Sequence, residues 1–228
     1  MDTILDTYRT CLWVHGKHIV DVQKGAIIWK NVHLMFQKWT AVEHQLLLQE
    51  HQARDKLAKK LKLSKPHAKR HDQETEEWNN IPLLYRMEEN YICPEESHWQ
   101  QRYYKALFPE NTPIKIICQQ YYEGLDWVFQ YYTSDCPDCR WKYDFSYPPL
   151  FSDLTLYEQS TKITCRTDIS FLPVTSIEQL RYVLPPIHHF LIPDEMVNKE
   201  QNKEKIKASV PERLIFAYCR YLWEAHIQ

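Results

Sequence analysis

Cys136-Pro137-Asp138-Cys139 is the first stretch whose residue types could do chemistry. Two thiols spaced this way can supply half of a tetrahedral zinc site, and a structural site needs a second pair at matching spacing. Cys165 and the His188-His189 pair are the nearest candidates, and neither repeats the spacing. A thioredoxin-like redox pair needs a strand before it and a helix after it. Here a helical pattern comes before. Metal-assisted hydrolysis needs several acids converging on one or two ions. Glu123, Asp126, Asp135, Asp138, Asp144 and Asp153 are available, but without an Asp-x-Asp or His-Glu-x-x-His arrangement. There is no Gly-x-Ser-x-Gly elbow either. These residues give no self-sufficient active site, and no cofactor is expected in this chain.

A second stretch carries rings instead of acids. Trp141, Tyr143, Phe145 and Tyr147 alternate, followed by Pro148 and Pro149 and then Phe151-Ser152-Asp153-Leu154. Alternation puts the rings on one side of an extended segment. Rings on a fixed backbone can stack nucleobases at roughly 1–3 kcal/mol each. They can also fill the space between helices, which is the commoner use of such rings. Upstream, Arg54, Lys56, Lys59, Lys60, Lys62, Lys65, Lys69 and Arg70 face the single acid Asp55, then abut Asp72, Glu74, Glu76 and Glu77. Residues 54–78 read as a charged, solvated and partly disordered excursion. Contact with RNA phosphates is the other reading, although no aromatic residue interleaves with the basic residues to stack on nucleobases.

The elements that must position these residues are mostly helical. The 228 residues hold only 3 Gly and 13 Pro, with 14% aromatics. So few glycines nearly exclude Gly-rich phosphate loops and I′ hairpins, and point to helices joined by Pro-marked loops. Residues 4–20 read as a short mixed segment. From Ile28, apolar residues at Val32, Met35, Phe36, Trp39, Val42, Leu46 and Leu47 predict a helix running on to Lys62. Glu43 lies close to its stripe, either as a buried carboxylate paired with an Arg or as an edge residue.

Ser97 with Gln100 predicts a capping box for a helix bearing Trp99, Tyr103, Ala106 and Leu107. Thr112 and Pro113 predict the start of another, apolar around much of its circumference and therefore central, ending at Cys136-Pro137. Residues 136–174 read as irregular, Ser176 with Gln179 caps a short helix, and 194–208 read as a mobile polar loop. Ser209 and Pro211 predict a final helix with Leu214, Ile215, Tyr218, Tyr221, Leu222 and Ala225 on one face. The fold class is mainly α: one irregular helical domain over 1–228 with long Pro- and aromatic-rich loops.

The formal net charge of −2 gives no global field for nucleic acid. The 7 Cys are odd in number and scattered, and the start lacks a secretory pattern. No segment reaches the ~18 apolar residues of a membrane span. The expectation is an intracellular protein, cytoplasmic or nuclear, with reduced thiols and no membrane.

Longer motifs carry a family resemblance. Gln120-Tyr121-Tyr122-Glu123-Gly124-Leu125-Asp126-Trp127-Val128 through Tyr131-Tyr132 resembles the Xrn family's Y-x-E-G-L-x-W-V-x-x-Y-Y helix. Cys136-Pro137 and Trp141 through Pro149 resemble its C-P-x-W-x-W-Y-Y-P-Y-H-Y-A-P run, continued by Ser152-Asp153-Leu154. Pro173, Glu178-Gln179-Leu180 and Val183-Leu184-Pro185 match its P-x-x-x-x-E-Q-L-x-x-V-L-P stretch. Arg102-Tyr103-Tyr104-Lys105 resembles R-x-R-Y-Y-K, and residues 25–43 its opening G-x-I-x-W helix ending in Glu.

The resemblance implies a helical domain that packs against an N-terminal nuclease domain of a 5′→3′ exoribonuclease acting on single-stranded 5′-monophosphate RNA. That nuclease domain supplies the acids that bind magnesium, and it is expected to be missing from this chain. The chain is then not active alone and has no catalytic or metal-binding residue. Its partners would be single-stranded RNA and a separately encoded nuclease-domain polypeptide. The resemblance assigns RNA contact to Trp141, Tyr143 and Tyr147, and motif positions to Tyr122, Glu123, Gly124, Trp127, Asp153 and Gln179. Three positions depart from the motif: Cys139 replaces a Trp, Asp144 a Pro and Ser146 a His. A stand-alone degenerate RNA-binding or protein-interaction module without catalysis is the alternative.

Overall fold

The computed structural model describes residues 2–63, 80–138, 141–157, 176–192 and 214–227. The opening is more regular than its composition suggests. Helix α1 (Asp2–Cys11) leads to a 3₁₀ turn and to strands β1 (Val20–Asp21) and β2 (Ala26–Ile27), paired antiparallel. The turn between them is closed by the Asp21 carboxylate, which accepts the N–H of Gln23 and of Lys24 at 3.1 Å each. Gly25, at φ +57°, supplies the left-handed position such a turn needs.

Helix α2 (Trp29–Leu63) starts where the spacing predicts and continues for 35 residues. Trp39 Nε1 donates to Thr7 Oγ1 at 3.0 Å, tying α1 to its flank. The helix runs through the first part of the expected charged excursion, as its spacing predicts, with Lys56, Lys59, Lys60 and Lys62 exposed, but Arg54 is buried. Residues 64–78 of that excursion lie outside the described residues.

Four further helices build the body: α3 (Ile81–Leu84), α4 (Met87–Ile92), α5 (Trp99–Leu107) and α6 (Ile114–Thr133). The short α7 (Phe151–Leu156) breaks the stretch expected to be irregular, and α8 (Ser176–Val183) follows. The predicted capping box on α5 does not form. His98 is the N-cap, at φ +62°, and the Ser97 carbonyl accepts Arg102 Nη1 at 2.8 Å. The same guanidinium holds the Ile92 and Cys93 carbonyls at the end of α4, at 2.9 and 3.1 Å. On α6, Pro113 is the N-cap and Thr112 instead donates to the Pro109 carbonyl at 2.9 Å. α6 ends at Thr133, before Cys136.

The predicted C-terminal helix is replaced by strands β3 (Leu214–Ile215) and β4 (His226–Ile227), with Leu214 opposite Ile227 and Ile215 opposite His226. Residues 209–213 and the loop expected over 194–208 are outside the described residues. Tyr218, at φ +59°, is incompatible with a continuous helix. Glu224 then holds the turn by accepting the N–H of Arg220 at 2.7 Å and of Tyr221 at 3.3 Å.

Two apolar cores flank α6. One gathers Trp99, Tyr103, Leu107, Ile117, Leu150 and Ile215; the other centres on Phe36, Cys118, Tyr122 and Leu154. Consecutive residues Ile117 and Cys118 feed different cores, which explains why α6 is apolar around so much of its circumference. The fold is mainly α, as expected. Among the described residues no helix is long and apolar enough to cross a membrane.

Candidate nucleic-acid interface

The aromatic run is placed by α6. Trp141, Tyr143 and Phe145 are half-buried and Tyr147 is 6% exposed, while Lys142, Asp144 and Ser146 face outward. The period of two is real, and the ring side is the side that meets the helices. Asp144, which stands where the resembling motif has Pro, fastens the run to α6: Gln120 Nε2 donates to its carboxylate at 2.9 Å, and its N–H donates to Gln120 Oε1 at 3.3 Å.

Trp141 lies over Gly124. A Cβ at Gly124 would stand 2.6 Å from Trp141 Cη2, so only glycine admits the indole at this approach. The Trp141 ring stacks on Trp127, with centroids 5.8 Å apart and planes 21° apart. Trp127 stacks in turn on Tyr131 at 5.2 Å and 8°. Trp127 Nε1 donates to the Asp138 carbonyl at 2.8 Å, which sets the indole's roll. The result is a three-ring ladder with half-exposed Tyr131 at its outer end.

Tyr143 meets Tyr121 edge-on at 5.8 Å and donates to the Tyr147 carbonyl at 2.9 Å. Burial, and then the neighbouring Tyr121, push its hydroxyl pKa well up. Tyr147 donates to the Ala217 carbonyl at 3.0 Å, with His226 edge-on against it at 4.8 Å. Its ring fills the core.

Other motif residues brace this surface. Tyr122 donates to the Leu154 carbonyl at 2.6 Å, and Tyr104 donates to Asp153 Oδ2 at 2.7 Å while accepting the Leu150 N–H at 3.0 Å. Glu43 is half-buried at the edge of the α2 stripe, and its partners are backbone N–H groups. Its carboxylate accepts the Phe151 N–H at 2.7 Å and the Ser152 N–H at 3.4 Å, capping α7 from another helix. Burial raises its pKa, against the lowering effect of those two N–H groups. Glu123 is held by Gln119 at 3.1 Å, and Gln179 is exposed on α8, apart from these contacts.

Four of the candidate acids turn to separate partners. Glu123 turns to Gln119, Asp126 to Gln130, Asp144 to Gln120 and Asp153 to Tyr104. Among the described residues no three His, Cys, Asp or Glu side chains gather as metal ligands. Cys136 is exposed and Cys139 lies outside the described residues.

Two features escaped the sequence reading. The first is a buried ionic network. Glu89 is 0% exposed and takes Arg54 two ways, at 2.8 and 3.1 Å, together with Arg86 Nε. Arg86 also reaches Asp55 and, at 3.3 Å, His51 Nδ1. The signal was present: Leu47, His51 and Arg54 continue the inward spacing of α2, so Arg54 belongs to the buried face. The second is an open ring pair. Tyr221 and Trp223 stack at 5.5 Å and 10°, Arg220 lies 5.3 Å from the Tyr221 centroid, and Trp223 is 79% exposed.

The chain is a mainly α body that braces one aromatic ladder on a helix glycine and leaves a second ring pair open. Residues 89–212, more than half of the chain, match the Xrn1 helical domain, and the chain belongs to that family. It is 31% identical to 5′-3′ exoribonuclease 1 of Schizosaccharomyces pombe over 136 residues, covering 55% of this chain and 10% of that protein. It is 37% identical to 5′-3′ exoribonuclease 2 of Gallus gallus over 95 residues, covering 40% and 10%. With 5′-3′ exoribonuclease 1 of Saccharomyces cerevisiae the identity is 35% over 99 residues, covering 42% and 6%. The matched part is thus about a tenth or less of the length of these relatives.

Proposed function

We propose that this chain is the helical half of a 5′→3′ exoribonuclease acting inside the cell, in cytoplasm or nucleus, on single-stranded RNA bearing a 5′-monophosphate. A nuclease domain on a separate polypeptide supplies the acids that hold magnesium. The observation that carries the reading is membership of the Xrn1 helical domain family, together with relatives named as 5′-3′ exoribonucleases. The scattered partners of Glu123, Asp126, Asp144 and Asp153 support a division of labour in which the chemistry sits elsewhere.

RNA is met by rings. Trp141 and Tyr143, half-buried against α6, form one contact through the ladder that ends at Tyr131, while Tyr147 stays in the core. The Tyr221–Trp223 pair, with Arg220 beside it, offers the more open stacking surface. Base stacking on such rings contributes about 1–3 kcal/mol each.

Titration of a fluorescent single-stranded oligonucleotide into the chain tests the contact. Trp141→Ala and Trp223→Ala should each weaken binding by roughly 1–3 kcal/mol, with affinity falling as salt rises. Unchanged affinity in both variants would remove RNA from the reading. It would leave the alternative, a protein-interaction module.

A further inference from the structure

We propose that residues 214–227 form a detachable strap, latched onto the helical body by Glu89 and biased towards release by Tyr218. This inference does not rest on the RNA reading. The strap is fastened largely through its backbone. Tyr218 N–H donates to Glu89 Oε1 at 2.7 Å, Arg54 Nη2 donates to the Cys219 carbonyl at 2.7 Å, and Tyr147 Oη donates to the Ala217 carbonyl. Ile215 and Ala217 are its buried apolar anchors.

Two observations at one residue oppose docking. Tyr218 is held at φ +59°, a left-handed conformation that bulky residues adopt only under constraint. Its hydroxyl is buried and finds no hydrogen-bond partner among the described residues. In the released chain the backbone relaxes and the hydroxyl meets water. Docking therefore stands against a built-in penalty, offset by the Glu89 and Arg54 contacts.

The latch adds a charged contact to the apolar burial of Ile215 and Ala217. Glu89 is matched by two guanidiniums, Arg54 and Arg86, so the carboxylate keeps cationic partners when the strap leaves. The body can hold its network without the strap. Release also uncovers Tyr147, whose hydroxyl and ring are both met by the strap, at Ala217 and His226. The exposed Tyr221–Trp223 pair is carried on the strap, so the latch sets where that pair stands.

Amide exchange on the full chain reads this directly. A two-stranded pair this short is not stable by itself, so detachment exposes the Tyr218, Cys219 and Arg220 amides together. These three should exchange at one common protection, at least tenfold below that of Leu107 in α5 and Tyr122 in α6. Equal protection in strap and core would overturn the proposal.

Glu89→Gln should speed strap exchange at least tenfold more than it speeds exchange of the core amides. Should that variant fail to fold, Tyr218→Phe decides. Removing the unpartnered hydroxyl should slow strap exchange by about tenfold, and no slowing would count against the bias towards release.

Discussion

The Trp141 indole rests on the backbone of Gly124, closer than any side chain could stand. A Cβ at Gly124 would meet Trp141 Cη2 at 2.6 Å and Cζ2 at 3.4 Å. Glycine inside a 20-residue helix is unfavourable by roughly 1 kcal/mol relative to alanine, so its presence in α6 is explained by the ring above it.

Gly124→Ala should therefore destabilise the protein despite the better helix propensity. Overpacking of about 1–3 kcal/mol outweighs the gain of roughly 1. In the Trp141→Ala background the sign should reverse, because the obstruction is gone and propensity alone remains. Urea unfolding of the four species of this cycle checks it: coupling between the two sites of about 1–3 kcal/mol, the overpacking itself, is expected. Additive effects would mean that the close approach has no energetic consequence.

Tyr104 is a two-sided bracket between α5 and the start of α7, donating to Asp153 and accepting from Leu150. Tyr104→Phe removes no ring volume, yet it leaves a carboxylate oxygen and a backbone N–H without that partner. A loss of about 1–3 kcal/mol in denaturant unfolding is expected. A change within a few tenths would show that both groups find other partners.

Two carboxylates give opposite pH signatures. Burial raises the Glu43 pKa, so its contribution to stability is fully present below the unfolded pKa and is lost as pH rises through the folded one. Burial acts on Asp55 in the same direction, but hydrogen bonding and charge from Arg86, with His51 and Lys59, leave its pKa lowered overall. Its contribution is present above the unfolded pKa and is lost as pH falls through the folded one. Melting temperatures from acid to neutral pH should show Glu43→Gln gaining on the wild type as pH rises. Asp55→Asn should gain on it as pH falls. Parallel curves for either variant would contradict the corresponding environment.

The parts legible in the sequence were those with a local signal. The spacing of Val32, Phe36 and Trp39 marks α2, Trp99, Tyr103 and Leu107 mark α5, and the alternation from Trp141 to Tyr147 marks a one-sided extended run. The burial of Arg54 was missed because its charged neighbours suggest solvent, and its partner Glu89 lies 35 residues away. The cap on α7 was missed for a similar reason: Glu43 supplies it from 108 residues upstream of Phe151. The C-terminal strands were misread because Leu214, Tyr218, Tyr221 and Ala225 mimic helical spacing, while the left-handed backbone at Tyr218 has no glycine to announce it. Family membership was readable because its motifs occur in order along the chain.

Under the proposed function, this chain supports ribonuclease chemistry performed by another polypeptide. The direct measurement mixes the purified chain with a nuclease-domain polypeptide in magnesium buffer. Loss of a 5′-monophosphorylated single-stranded RNA is followed against its 5′-triphosphorylated counterpart. The account predicts rapid 5′→3′ shortening of the monophosphate substrate only when both polypeptides are present, and little loss of the triphosphate. Shortening by the chain alone, or a nuclease-domain rate unchanged by its addition, would contradict it.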